Sequence, residues 1–182
     1  MLLDADNAAL IVIDMQERLV PAMQAPARTI KNAKTLITAA RELDIPVLMT
    51  EQYPKGLGHT MPELAQAGQV AGAQVIEKIH FSSYAEPAFA EAFRATGRRQ
   101  AVVTGMEAHI CVMQTAMALM QADYEVFVVT DATSSRTLES EKACLDRLQA
   151  NGAGIVTTEM VVFEWLGQAG TPAFKALLPL IK

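Results

Sequence analysis

An acid, an amine and a thiol stand at three well-separated points of this 182-residue chain: Asp14 and Lys78 where strands should end, and Cys111 six residues after another strand, at the start of a helix. A thiol attacks as its thiolate. A free cysteine titrates at ~8.5, and a helix N-terminus or a nearby lysine lowers that value. Cys111 should have both and is therefore expected to be exposed and partly ionised at neutral pH. Asp14 can take the thiol proton and return it to a departing group. Lys78 would keep Asp14 oriented and charged and would steady the thiolate. Backbone N–H groups at the start of the Cys111 helix can hold a developing oxyanion. Each residue alone has a plainer reading: a packing cysteine, a turn aspartate, a solvated lysine. Three complementary groups at neighbouring strand ends favour a site.

Other polar residues form weaker patterns. His109 lies two residues before Cys111, a spacing that points side chains apart in regular structure. His59 and His80 with Glu51 lack the spacing of a metal site, and no metal is expected. Cys144 sits among apolar residues of a helix and reads as core. Thr157, Thr158 and Glu159 read as a helix cap. The phosphate-binding glycine patterns GxGxxG and GxxxxGK[ST] are absent, so no nucleotide or other cofactor is expected.

The elements that would position the three residues follow from hydrophobic periodicity. Apolar runs at 8–13, 46–50, 74–78, 100–105, 125–130 and from 154 predict six strands. Helical spacing covers 28–43, 86–96, a stretch beginning at Cys111, and 139–151. Two shorter helices follow at 159–166 and 172–180. Strands alternating with helices imply one α/β domain over 1–182: three layers, with a six-stranded parallel sheet flanked by helices on both faces. Ligands of such a sheet bind beyond the carboxyl ends of its strands, where Asp14, Lys78 and Cys111 fall.

Composition narrows the function classes. A hydrophobic share of 51% fits a folded globular chain. The formal net charge of −5 argues against a general nucleic-acid binder. No apolar run reaches the ~18 residues of a membrane span. The first six residues are acidic and lack the basic start of a signal peptide. Two cysteines are too few for a disulfide framework, so a reducing, cytoplasmic setting is expected. The expected partner is a small-molecule substrate, with neither nucleic acid nor membrane.

Three strings in order resemble the isochorismatase-like hydrolases. ALIVIDMQERL (9–19) is similar to their first-strand motif, with Asp14 followed by Gln16. VIEKIHFSSY (75–84) is similar to their lysine motif and contains Lys78. VVTGMEAHICV (102–112) is similar to their nucleophile motif and contains Cys111. TEQYPKGLG (50–58), DATSSR (131–136) and TTEMVVFEWL (157–166) resemble the isochorismatase-domain-containing branch. The resemblance implies a Rossmann-like fold, an Asp14–Lys78–Cys111 triad and cysteine-dependent hydrolysis of a C–N bond in a small amide. It also implies a cis peptide between Met106 and Glu107, with Glu107 and Cys111 N–H groups as oxyanion donors. Gln16, Tyr53, His59, Phe81, Tyr84 and Trp165 are candidates for the pocket wall. Family nicotinamidases carry a metal-binding Asp-x-His after the second strand, where this chain has Thr50-Glu51-Gln52-Tyr53. Relatives commonly assemble, so a homo-oligomer is expected. The apolar segments 161–166 and 176–181 would supply its interface or cover their own sheet. The alternative is a non-catalytic binding or scaffold protein that retains the pocket.

Overall fold

The computed structural model describes residues 1–181. Six strands form the sheet: β1 (Ala8–Ile13), β2 (Val47–Gln52), β3 (Gln74–Lys78), β4 (Gln100–Met106), β5 (Glu125–Ser134) and β6 (Gly154–Val156). Their order is β3-β2-β1-β4-β5-β6, and all neighbours are parallel. Every residue of β1 and β4 is buried, as a centre covered on both faces demands. The order reverses between β1 and β4, so the crevice opens beside Asp14 and above the turn that carries Cys111.

Among the described residues, eight α-helices flank or connect the strands: α1 (Pro26–Glu42), α2 (Pro54–Leu57), α3 (Pro62–Val70), α4 (Pro87–Ala95), α5 (Met113–Gln121), α6 (Leu138–Ala150), α7 (Thr158–Leu166) and α8 (Pro172–Leu177). Proline opens α1, α3, α4 and α8, where its missing N–H costs no helical bond. Threonine side chains cap α6, α7 and α8. One apolar cluster, with Leu36, Ile37, Val129 and Trp165, fills one side of the sheet. A second, with Phe89, Phe93, Cys111 and Leu119, fills the other.

Helices α2 and α3 were not expected from the periodicity, and strands β3 and β5 differ from it in burial and length. Helix α3 has no apolar stripe and contains Gly68. A Cβ at Gly68 would lie 2.5 Å from Met49 Sδ, so the glycine lets α3 approach β2. Strand β3 is an edge strand: only Ile76 and Lys78 are buried, while Gln74, Val75 and Glu77 face solvent. Strand β5 runs on to Ser134 through an irregularity, since Val103 pairs with Val128 but Gly105 pairs with Thr133. Within that irregularity, Asp131 accepts from the Thr158 N–H at 2.8 Å and hydroxyl at 2.9 Å. It therefore ties β5 to the start of α7.

Gly105 is fixed by close approach. Its φ is +126°, and a Cβ would sit 2.1 Å from the Ile13 carbonyl oxygen. Only glycine lets β4 pass β1 this closely just before the Cys111 turn. The C-terminal segments mainly cover their own sheet: Val161, Val162, Trp165 and Leu177 are buried, and Met160, Phe163 and Leu180 remain exposed. Among the described residues, no helix is long and apolar enough to cross a membrane.

Candidate active site

Lys78 ends the edge strand, two strands away from β1. Its side chain crosses the end of β2 to reach Asp14, and Nζ donates to Asp14 Oδ2 at 2.7 Å. Both side chains are fully buried. The route is lined by β2. Thr50 Oγ1 donates to Asp14 Oδ1 at 2.7 Å, and Lys78 Nζ donates to Gln52 Oε1 at 2.7 Å. The carbonyls of His80 and Phe81 complete the ammonium's acceptors at 3.2 and 3.3 Å. A buried ion pair persists when its remaining valences are satisfied in this way. Asp14 itself has φ +50°, a left-handed turn out of β1 that aspartate tolerates better than most residues.

Cys111 lies in a π-helical turn, Ala108–Val112, that joins β4 to α5. The Val112 N–H reaches back to Glu107 O at 3.3 Å, the five-residue closure of such a turn. The peptide between Met106 and Glu107 is cis. The Glu107 N–H has no hydrogen-bond acceptor among the described residues.

The thiol is not the exposed, partly ionised group expected from the sequence. Cys111 is 6% exposed. Burial, then the Asp14 carboxylate, push its pKa up to about 12, against the pull of Lys78. Cys144 is also pushed up to about 12, chiefly by burial. Its Sγ donates to Ala108 O at 3.0 Å, a packing role beneath the Cys111 turn.

The remaining candidates separate into groups. Gln16 is buried, and its amide is fully engaged: Nε2 donates to Gln52 O (3.0 Å) and Gly58 O (2.7 Å), and Oε1 accepts from Gln52 N (2.7 Å). It fastens β2 to the following loop and has no free amide for a ligand. Tyr53 and Phe81 are exposed. Tyr53 lines a cleft of 430 Å³ with Pro54, Lys55, Glu77, Lys78, Ile79 and Glu86. His59 is exposed and pairs with Glu51 at 3.0 Å.

Tyr84 and Trp165 do not line the crevice. Tyr84 packs edge-on against Tyr124, at the amino end of β5, with ring centroids 6.1 Å apart. Trp165 is buried in the apolar cluster across the sheet from Cys111. Large side chains there follow the demand for core volume. Thr50 and Gln52 were not singled out from sequence. They alternate along β2, and the register that sets Gln52 beside Lys78 appears only once the strands are paired.

Glu51 and His59 give the site's margin a pH signature. Burial alone would raise Glu51; the Thr60 amide, His59 and the Thr60 hydroxyl outweigh it and hold the carboxyl below its ordinary range. The hydrogen bond to Glu51, and then its charge, raise His59. A raised histidine contributes stability below its unfolded value, about 6.5, and loses it as pH rises through its folded value. A lowered glutamate contributes above its unfolded value, about 4.3, and loses it as pH falls through its folded value. The pair therefore acts between the two. We expect His59→Ala to be less stable than wild type near pH 5.5 and the gap to close by pH 9, as read by urea denaturation. A gap that widens with pH would contradict the pairing.

Among the described residues, no group of three His, Cys, Asp or Glu side chains is placed to hold a metal ion. The site thus consists of a buried carboxylate, its ammonium partner and an adjacent thiol, at the switch point of a Rossmann-like sheet. Residues 8–160 match the family model described as "Isochorismatase domain", and the chain belongs to that family.

"Isochorismatase domain-containing protein 2" of Danio rerio is 35% identical over 98% of this chain and 89% of its own. "Isochorismatase domain-containing protein 1" of Salmo salar is 37% identical over 93% of this chain. The chain spans only 59% of that relative's length. Among solved structures, the MAR1 ribonuclease of Caenorhabditis elegans shares 34% identity. It superposes with a TM-score of 0.93 over 100% of this chain and 92% of its own. YcaC of Pseudomonas aeruginosa, solved with hexane-2,5-diol and covalent acrylamide, shares 25% identity. Its TM-score is 0.92, over 98% of this chain and 91% of its own. Family membership supports a hydrolase-family function.

Proposed function

We propose that the protein is a cysteine hydrolase that cleaves the C–N bond of a small amide, with Asp14, Lys78 and Cys111 as its triad. The observation that carries the reading is the buried Asp14–Lys78 pair at 2.7 Å with the Cys111 thiol against the same carboxylate. Asp14 takes the thiol proton as Sγ attacks the carbonyl carbon. The oxygen gains the negative charge, facing the N–H groups of Glu107 and Cys111. Collapse breaks the C–N bond, and the amine leaves with the proton from Asp14. Water then attacks the thioester, Asp14 takes its proton and returns it to the leaving thiolate, and the carboxylic acid departs. Lys78 keeps Asp14 ionised and offsets charge on sulfur. No step requires a metal or cofactor.

The covalent acrylamide named for the Pseudomonas aeruginosa relative supports a site open to small carbonyl compounds. A reducing, cytoplasmic setting suits two free cysteines. A homo-oligomer belongs to the same reading, supported by exposed Tyr53, Ile79 and Phe81 beside the crevice. Nucleic acid does not, given a net charge of −5. The test is a panel of small amides with trapping of the acyl-enzyme by intact mass, alongside light scattering. Because the Caenorhabditis elegans relative is named a ribonuclease, RNA is included. Ammonia or amine release with an acyl adduct on Cys111 supports the reading. Cys111-dependent RNA cleavage without amide turnover overturns it.

A further inference from the structure

The loop after β3 holds the catalytic ammonium, yet little apolar packing holds the loop. Lys78 Nζ donates to the carbonyls of His80 and Phe81, while Ile79 and Phe81 are 73% and 56% exposed. Two side chains, Gln52 and Glu86, hold the segment between them. From the sheet side, Gln52 Nε2 donates to Ile79 O at 2.9 Å. From the other side, Glu86 Oε2 accepts from His80 Nδ1 at 3.0 Å and lies 3.5 Å from the Ile79 N–H. Glu86 has a firm base. It stands immediately before α4, whose Phe89 and Phe93 are fully buried. The hydrogen bond from His80 holds its carboxyl below the usual range, so it is ionised at neutral pH.

We propose that Glu86 is a positioning residue for Lys78, acting through His80. The proposal rests on the reading of Lys78 as a member of the triad. Glu86 grips the His80 ring and the Ile79 amide, which fixes two carbonyls, which fix the ammonium beside Asp14 and Cys111. Without the grip the loop is held from one side only, and Lys78 loses its orientation toward the thiol.

Cys111 reports this without a substrate, because Lys78 favours its thiolate and the thiolate is the form that alkylates. The experiment is iodoacetamide labelling between pH 7 and 9, read by peptide mass mapping, with Cys144 as the internal reference. Glu86→Ala and His80→Ala should slow Cys111 labelling by about threefold to tenfold and leave Cys144 unchanged. Glu86→Gln, whose amide oxygen can accept the same bonds, should recover most of the wild-type rate. A rise in Cys144 labelling marks a variant that has lost its fold, and the half-exposed His80→Ala then decides. Labelling as fast as or faster than wild type in the alanine variants, or no rescue by Glu86→Gln, overturns the positioning role. Lys78→Met separates the two claims. If it slows labelling and Glu86→Ala does not, positioning alone fails. If Lys78→Met leaves the rate unchanged, the role of Lys78 fails and the proposal with it.

Discussion

Cys111→Ala should lower turnover of any amide substrate by at least about 10³-fold while the fold stays intact. In the proposed mechanism Sγ is the atom that becomes covalent, and Asp14 with Lys78 cannot substitute for it: one would serve as the acid–base group, the other as a fixed charge. Loss of one buried sulfur from a packed cluster is a modest change to the core, so circular dichroism and melting should remain close to wild type. Cys111→Ser should also be nearly inactive. Its hydroxyl is a poorer nucleophile, and Asp14 would face a much less acidic proton. A chelator should have no effect on the wild type. The decisive comparison is kcat for wild type and Cys111→Ala on the same amide. Retention of activity within about tenfold would place the chemistry elsewhere.

Lys78→Met should destabilise the protein by about 3–5 kcal/mol. Methionine has nearly the length of the lysine stem, so the change removes the charge more than the volume. It leaves the Asp14 carboxylate buried with the Thr50 hydroxyl and the weakly donating Cys111 thiol in place of a cation. The Gln52 side-chain oxygen and the carbonyls of His80 and Phe81 also lose the ammonium they accept from. The urea midpoint should fall accordingly. The double variant Asp14→Asn/Lys78→Met, which removes both charges, should recover much of the loss. A fall of less than about 1 kcal/mol in the single variant would mean that Asp14 is better solvated than its complete burial indicates.

Several features were legible in the residues. The apolar runs of β1 and β4 identify a sheet covered on both faces, because a strand with no solvent side has no polar positions. Asp14, Lys78 and Cys111 stood out because charged and nucleophilic groups at the ends of parallel strands gather in one crevice. Helix α3 did not stand out, since its few apolar side chains form no stripe and its glycine serves close packing against Met49. Tyr84 and Trp165 resembled wall residues because an aromatic side chain has the same composition signal in a core as in a pocket.

Covalent order determined the residue types, the alternation of strand and helix, and which groups are chemically able. Three matters were decided in three dimensions. The strand order set Lys78 two strands from Asp14 and so recruited Thr50 and Gln52, which carry no motif of their own. The packing around Cys111 excluded water and raised its thiol, reversing what a helix start and a nearby lysine predict in solvent. The loop carbonyls of His80 and Phe81 became ligands of a buried ammonium, although a carbonyl is common to every residue. The reason is the same in each case. Burial and hydrogen-bond geometry depend on which surfaces meet, and residues distant in sequence meet only when the sheet closes around them.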